Sequence, residues 1–288
     1  MMFQIRFTLQ KNWNWNSVPN NMKKVRPKGT LIPIGGGEDS LPILKRIIKE
    51  TGRHKPRICY MTIATTSPKE AAKKHKKFFK DMGMTKITIM HFNSREDADL
   101  PANLKKIKNC NAVFIGGGDQ LRLSSLLGGT LLLTEMKKKY YDDPNFVICG
   151  NSAGAAAMSN TMIISGSSQD ALVKGELELT NGLDLLNNVF IDTHFTQRGR
   201  FGRLIQTLTY NPGVLGLGLS LDTGVVISNG EELEVIGTGL VVIADGTAIK
   251  YSDLTEISNG DPITVEGIKM HILGPGKRFS ISKRKLLY

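Results

Sequence analysis

The first half of the chain repeats one pattern: a short apolar run, a turn rich in glycine or small polar residues, then a stretch of helical period. The runs Gly29 to Ile34, Arg57 to Thr62, Ile87 to Met90, Ala112 to Ile115 and Phe146 to Cys149 are expected strands. They are apolar at successive positions, as strands buried on both faces are. Between them, Leu41 to Thr51, Pro68 to Met82, Leu100 to Asn109, Gln120 to Leu127 and Leu131 to Tyr140 space apolar residues at helical intervals. Gly52 and Gly83 mark two helix ends. Strands alternating with helices predict an α/β fold, with a mainly parallel sheet and helices on both faces. The second half changes character. Val189 to Ile191, Gly213 to Leu221, Val225 to Ser228, Leu233 to Ile236, Leu240 to Ala244, Ala248 to Tyr251, Ile268 to Leu273 and Phe279 to Ile281 predict a β-rich C-terminal part. No linker separates it, so residues 22–288 read as one domain. Residues 1–21 are polar and asparagine-rich, carry Trp13 and Trp15, and read as a leader that is either flexible or a strapping arm.

One segment combines strand, turn and helix with distinctive chemistry. Phe146 to Cys149 runs into Gly150-Asn-Ser152-Ala-Gly154, and Ala153 to Met158 is rich in helix formers without bulk. This is the composition of a nucleophile elbow. Glycines at 150 and 154 relieve crowding, so that Ser152 can occupy a strained turn with its hydroxyl exposed. The amide of Ala153, at the start of the helix, becomes an oxyanion donor, and helix polarity favours negative charge there. Gly35-Gly36-Gly37 and Gly116-Gly117-Gly118-Asp-Gln120 follow two other strands. Sites in such sheets lie at the carboxyl ends of strands, so these turns can meet Ser152 in space. Neither triple glycine has the Lys-Ser/Thr ending of a P-loop or the spacing of a dinucleotide fingerprint.

Composition narrows the reading further. No apolar run is long enough to span a bilayer, and the first 21 residues lack a secretory pattern. Cys59, Cys110 and Cys149 lie in or beside apolar runs and read as core thiols, with neither a disulfide framework nor a metal site expected. A cytoplasmic protein without metal or other cofactor is expected. The net charge of +12 collects in lysine-rich helices and the tail. It reads as solvated faces, because no aromatics interleave with the lysines and no nucleic-acid motif is present. Neither nucleic acid nor membrane is an expected partner. Of the five histidines, 54, 75, 91 and 271 read as surface residues. His194 ends a strand and precedes Arg198, Arg200 and Arg203, so it is the candidate general base, with the arginines as carboxylate clamps.

Gly116-Gly117-Gly118-Asp-Gln120, Gly150-Asn-Ser152-Ala-Gly154 and Asp192-Thr193-His194-Phe-x-x-Arg198-x-Arg200-x-x-Arg203, in this order, resemble the cyanophycinase family. These are serine peptidases related to α-aspartyl dipeptidases. The resemblance implies a flavodoxin-like fold akin to class I glutamine amidotransferases. It implies hydrolysis of cyanophycin, a polyaspartate with arginine on each side-chain carboxyl, to β-Asp-Arg dipeptides, and it implies a homodimer. It makes Ser152 the nucleophile and His194 the base, with the Gly118 and Ala153 amides for the oxyanion. Gln120, Asp192, Thr193, Arg198, Arg200 and Arg203 fall in the substrate-binding set. Two positions depart from the family. Thr193 stands where glutamine is usual, and Leu221 stands where the triad glutamate is expected. Asp222 is the neighbouring substitute, but one step along a strand turns its side chain to the other face. The resemblance therefore implies a cyanophycinase impaired by Leu221; the alternatives are a related aspartyl dipeptidase and a weak or inactive cyanophycin-binding protein.

Overall fold

A computed structural model describes residues 26–37, 40–166 and 171–288. The expected leader, residues 1–21, lies outside the described residues. In chain order the first half is β1 (Thr30–Ile34), α1 (Leu41–Glu50), β2 (Ile58–Met61), α2 (Pro68–Asp81), β3 (Ile87–Met90), α3 (Arg95–Ala98), α4 (Pro101–Asn109), β4 (Ala112–Ile115), α5 (Gln120–Leu127), α6 (Leu131–Asp142) and β5 (Val147–Asn151). There follow α7 (Ala153–Ala156), β6 (Thr161–Ser165), β7 (Glu178–Asn181), β8 (Val189–Asp192), α8 (Phe201–Tyr210), β9 (Leu215–Leu219), β10 (Thr223–Ser228), β11 (Glu232–Gly237) and β12 (Val241–Asp245). The chain closes with β13 (Tyr251–Ser252), β14 (Val265–Glu266), β15 (Lys269–Leu273), β16 (Arg278–Ser280) and β17 (Lys285–Leu287).

Local chemistry sets several boundaries. Prolines at the first turn open α1, α2 and α4, where the missing N–H costs nothing. Asp119 caps α5 by accepting from the amides of Leu121 and Arg122, at 2.8 and 3.0 Å. Thr130 caps α6 through the Leu133 amide. Gly52 and Gly83 take left-handed backbone (φ 62° and 78°) just past α1 and α2.

The strands divide between two larger sheets. A nine-stranded sheet runs β17-β16-β11-β10-β1-β5-β4-β2-β3. From β1 to β3 its pairings are parallel; from β1 outward through β10, β11, β16 and β17 they are antiparallel. Alternate residues of the parallel strands feed two cores. Ile32, Tyr60, Phe114 and Cys149 face α1 and α2, while Leu31, Met61, Ile115 and Ile148 face α4, α5 and α6. A second sheet runs β15-β12-β9-β8, with β8 parallel to β9. One side of it joins the second of those cores, and the other is covered by α8 through Leu204 and Leu208.

This division corrects the expectation that the site sits on the edge of one sheet. Ser152 follows β5 in the first sheet, and His194 follows β8 in the second. The chain crosses between the sheets at Ser220–Asp222, where β9 ends and β10 begins. A further correction concerns the histidines read as surface residues, of which only His54 is exposed. His75 stacks on Tyr60 with its ring centroid 4.5 Å away, His91 bonds Thr62, and His271 packs edge-on to Phe279. For His75 and His271, polar sequence neighbours hid aromatic neighbours in space. All three cysteines are free and buried; burial pushes the Cys110 thiol up to about 11.

Candidate active site

The elbow is built by contact distances that only small residues allow. Ser152 adopts φ 52° and ψ −114°, strained for a residue with a side chain. A Cβ at Gly150 would strike the Gly154 carbonyl, and one at Gly154 would strike the Ile115 carbonyl of β4. These two glycines let the turn fold onto itself and α7 lie against the neighbouring strand. α7 is only four residues long, shorter than the expected Ala153 to Met158. It therefore offers free amides at its start without the dipole of a long helix.

His194 meets the elbow from the second sheet. Its Nε2 lies 2.8 Å from Ser152 Oγ, within hydrogen-bond range. A serine and a histidine in this relation can pass a proton from hydroxyl to ring. Gly117 packs against Ser152, since a Cβ there would lie 3.3 Å from the serine Cβ. Gly118, at φ 143°, is pressed on the Ala64 carbonyl. The amides of Gly118 and Ala153 donate to no backbone acceptor among the described residues.

The end of β1 links the parts in a way the sequence reading missed. Its last carbonyl and the next two each hold one site segment. Ile34 accepts from the Ser152 amide at 3.0 Å, Gly35 from His194 at 2.7 Å and Gly36 from Asp222 at 2.9 Å. All three donors have left-handed backbone, with φ of 52°, 50° and 52°. The triple glycine after β1 was the available signal, but nothing local says which amides its carbonyls will meet.

Among the described residues no carboxylate bonds the far side of the imidazole. His194 Nδ1 has no hydrogen-bond partner among the described residues. Asp222 does not bond it. A Cβ at Gly37 would run into the Asp222 carboxylate, and Asp222 lines a crevice shared with Ile34, Gly37, Ile43, His75 and Phe78. Leu221 sits in the crossing turn, its amide donating to Gln197 Oε1 at 3.1 Å. Burial lowers the His194 pKa below its ordinary value; the Arg198 and Arg200 charges lower it further against the opposing pull of Asp192.

The arginines do three different things. Arg203 is buried and grips Asp192 with two bonds, Nε to Oδ2 at 2.6 Å and Nη2 to Oδ1 at 2.5 Å. Arg200 donates to Asp192 Oδ1 at 3.2 Å and to the Thr193 carbonyl at 2.7 Å; burial brings its pKa down to about 10, so it stays charged at neutral pH. Arg198 is exposed beside His194. The Thr193 amide also bonds Asp192, so that carboxylate takes four hydrogen bonds at 2% exposure. The expectation was that all three arginines serve as carboxylate clamps and that Asp192 contacts the substrate. The geometry instead makes Asp192 and Arg203 a buried brace. Gln120 points elsewhere, donating to the Ile163 carbonyl at 2.9 Å, and lines a cleft with Asp119, Ile164, Ser165 and Glu178.

Comparison with known proteins gives this geometry a family. The model of peptidase family S51 matches residues 31–236. The chain belongs to peptidase family S51. Curated relatives of this peptidase are cyanophycinases. That of Synechococcus elongatus is 31% identical over 257 residues, covering 88% of this chain and 80% of the relative. That of Trichormus variabilis is 32% identical over 263 residues, covering 90% and 88%. That of Geminocystis herdmanii is 31% identical over 256 residues, covering 88% and 94%. Among solved structures, a peptidase from an acI-B1 Actinobacterium has the same fold, with TM-score 0.65 at 19% identity over 89% of this chain and 98% of that one. The chain is thus a cyanophycinase-like S51 peptidase. No helix among the described residues is long and apolar enough to cross a membrane, and no three potential metal ligands gather among them.

Proposed function

We propose that this S51 peptidase is a serine exopeptidase that cuts cyanophycin to β-Asp-Arg dipeptides, at a rate reduced by Leu221. The observation that carries the reading is the 2.8 Å approach of His194 Nε2 to Ser152 Oγ at a strained elbow. In the proposed cycle Ser152 attacks the peptide carbonyl as His194 takes its proton. The amides of Ala153 and Gly118 hold the oxyanion, where loss of one donor typically raises the barrier by about 2.7–4 kcal/mol. The intermediate collapses as His194 returns the proton to the leaving amine. Water then attacks the acyl-enzyme, with His194 again as base, and Ser152 is regenerated. Arg198 and Arg200 offer positive charge to substrate carboxylates. Asp192 and Arg203 hold Arg200 in place from behind.

A second reading has a specific observation in its favour. With Nδ1 unpartnered among the described residues, the protonated ring gains no ionic support, which suits a weak or inactive cyanophycin-binding protein. Mass spectrometry of β-Asp-Arg released from cyanophycin, with Ser152→Ala alongside, tests both. Release by the native chain and none by the variant is expected. Polymer binding without release from either would replace the enzyme with the binder, and equal release from both would remove Ser152 from the chemistry.

A further inference from the structure

Among the described residues no carboxylate bonds the far side of the His194 ring. We propose that Gly36 is the positioning residue for His194, its bare Cα forming a shelf on which the imidazole lies. The proposal rests on Ser152 and His194 being the reacting pair.

A Cβ built on Gly36 would meet the Cε1, Nε2 and Nδ1 atoms of His194, all within 2.8 Å. Three ring atoms crowding one point means that the ring lies flat over that Cα, with no room for a methyl group. Gly36 is also at φ 108°, a conformation that residues with side chains rarely adopt. The shelf is fixed at both ends of its own peptide segment. The Gly35 amide donates to the Thr223 carbonyl at 2.8 Å, and the Gly36 carbonyl accepts from Asp222 at 2.9 Å. The base is tied to the same segment, since the His194 amide donates to the Gly35 carbonyl at 2.7 Å. The nucleophile is too, through its amide on Ile34. Backbone and ring of His194 are therefore both referenced to the residues just past β1, directly after Ile34, which locates Ser152.

A triad carboxylate does two jobs for its histidine: it orients the ring and it stabilises the imidazolium. A flat apolar shelf can do the first by contact alone, since a ring resting on it can slide or turn only by losing packing. It cannot do the second. The pair is thus pre-aligned, while among the described residues no carboxylate hydrogen-bonds the ring to support its charge.

Gly37 provides a matched control. It is in the same turn at φ 101°, so alanine strains the backbone similarly, but its Cβ would meet Asp222 rather than His194. The assay is the rate at which a fluorophosphonate labels Ser152, read by intact mass from pH 5 to 8, with Ser152→Ala as blank. It needs no cyanophycin, so failure of the substrate assignment leaves it intact. Gly36→Ala is expected to slow labelling at least about tenfold at every pH, and Gly37→Ala by less than about threefold, with both losing similar thermal stability. Equal slowing by the two variants, or native labelling by Gly36→Ala, overturns the shelf. A native chain that does not label overturns the Ser–His pairing and the shelf together. If Gly36→Ala does not fold, relaxation of the His194 13Cε1 nucleus in the native chain decides. A ring as ordered as rigid backbone, with an order parameter near about 0.85, is expected, and one below about 0.6 overturns the proposal.

Discussion

Replacing Asp192 by alanine tests how the charged residues around the site divide their work. The carboxylate is 2% exposed and receives bonds from the Thr193 amide, Arg200 Nη1, Arg203 Nε and Arg203 Nη2. The two guanidinium side chains are themselves only 14% and 9% exposed. Deleting the carboxylate leaves two buried cations facing one another with little water to screen them. Removing one partner of a buried pair costs about 3–5 kcal/mol, mostly from the charge left behind. For a chain of this size, about 2 °C per kcal/mol is reasonable, so the melting temperature should fall by roughly 6–10 °C. Asp192 also raises the His194 pKa, against burial and the arginines. Its loss should move the acid limb of kcat/KM to still lower pH, because the ring then stays neutral further into acid. Calorimetry and a pH–rate profile on the same preparation measure both effects. A melting temperature within about 2 °C of native, combined with lost substrate affinity, would refute the reasoning. Asp192 would then be free to bind substrate, and its bonds to the arginines would carry no stability.

Leu221→Glu should raise kcat by at least about tenfold, roughly 1.4 kcal/mol of barrier, with a smaller change in KM. It should also move the acid limb upward, since a carboxylate beside the ring favours its protonated form; full activity in the native chain and no gain in the variant would place the partner of His194 elsewhere. In the native chain the limb should fall below the ordinary histidine value of about 6.5, because burial and two nearby cations lower the pKa. Arg198→Ala should raise KM for cyanophycin several-fold while leaving the melting temperature within about 1–2 °C, since an exposed side chain away from packing contributes little to stability; titration against the polymer and a thermal melt check the two halves.

Much of this protein can be read from the chain because it is local. The apolar runs at 58–61, 87–90 and 112–115, the proline and glycine boundaries of α1 and α2, and the Gly150-to-Gly154 elbow all follow from steric rules acting over a few residues. The short hairpin β6–β7 was not legible, because its pairing register shifts between Ile163 and Ser165 and breaks the alternation. The reach of His194 to Ser152 was not legible in the same sense, since it spans 42 residues and two sheets. Nor does sequence spacing distinguish Arg198, open to solvent, from Arg203, buried on Asp192; both lie in one arginine-rich motif, but Arg198 sits in the exposed turn before α8 while Arg203 lies on the buried side of α8. The identities of the proposed reacting pair were thus legible in the sequence. Their alignment was decided by tertiary structure, because the carbonyls at the end of β1 hold three strained turns that are remote from one another along the chain.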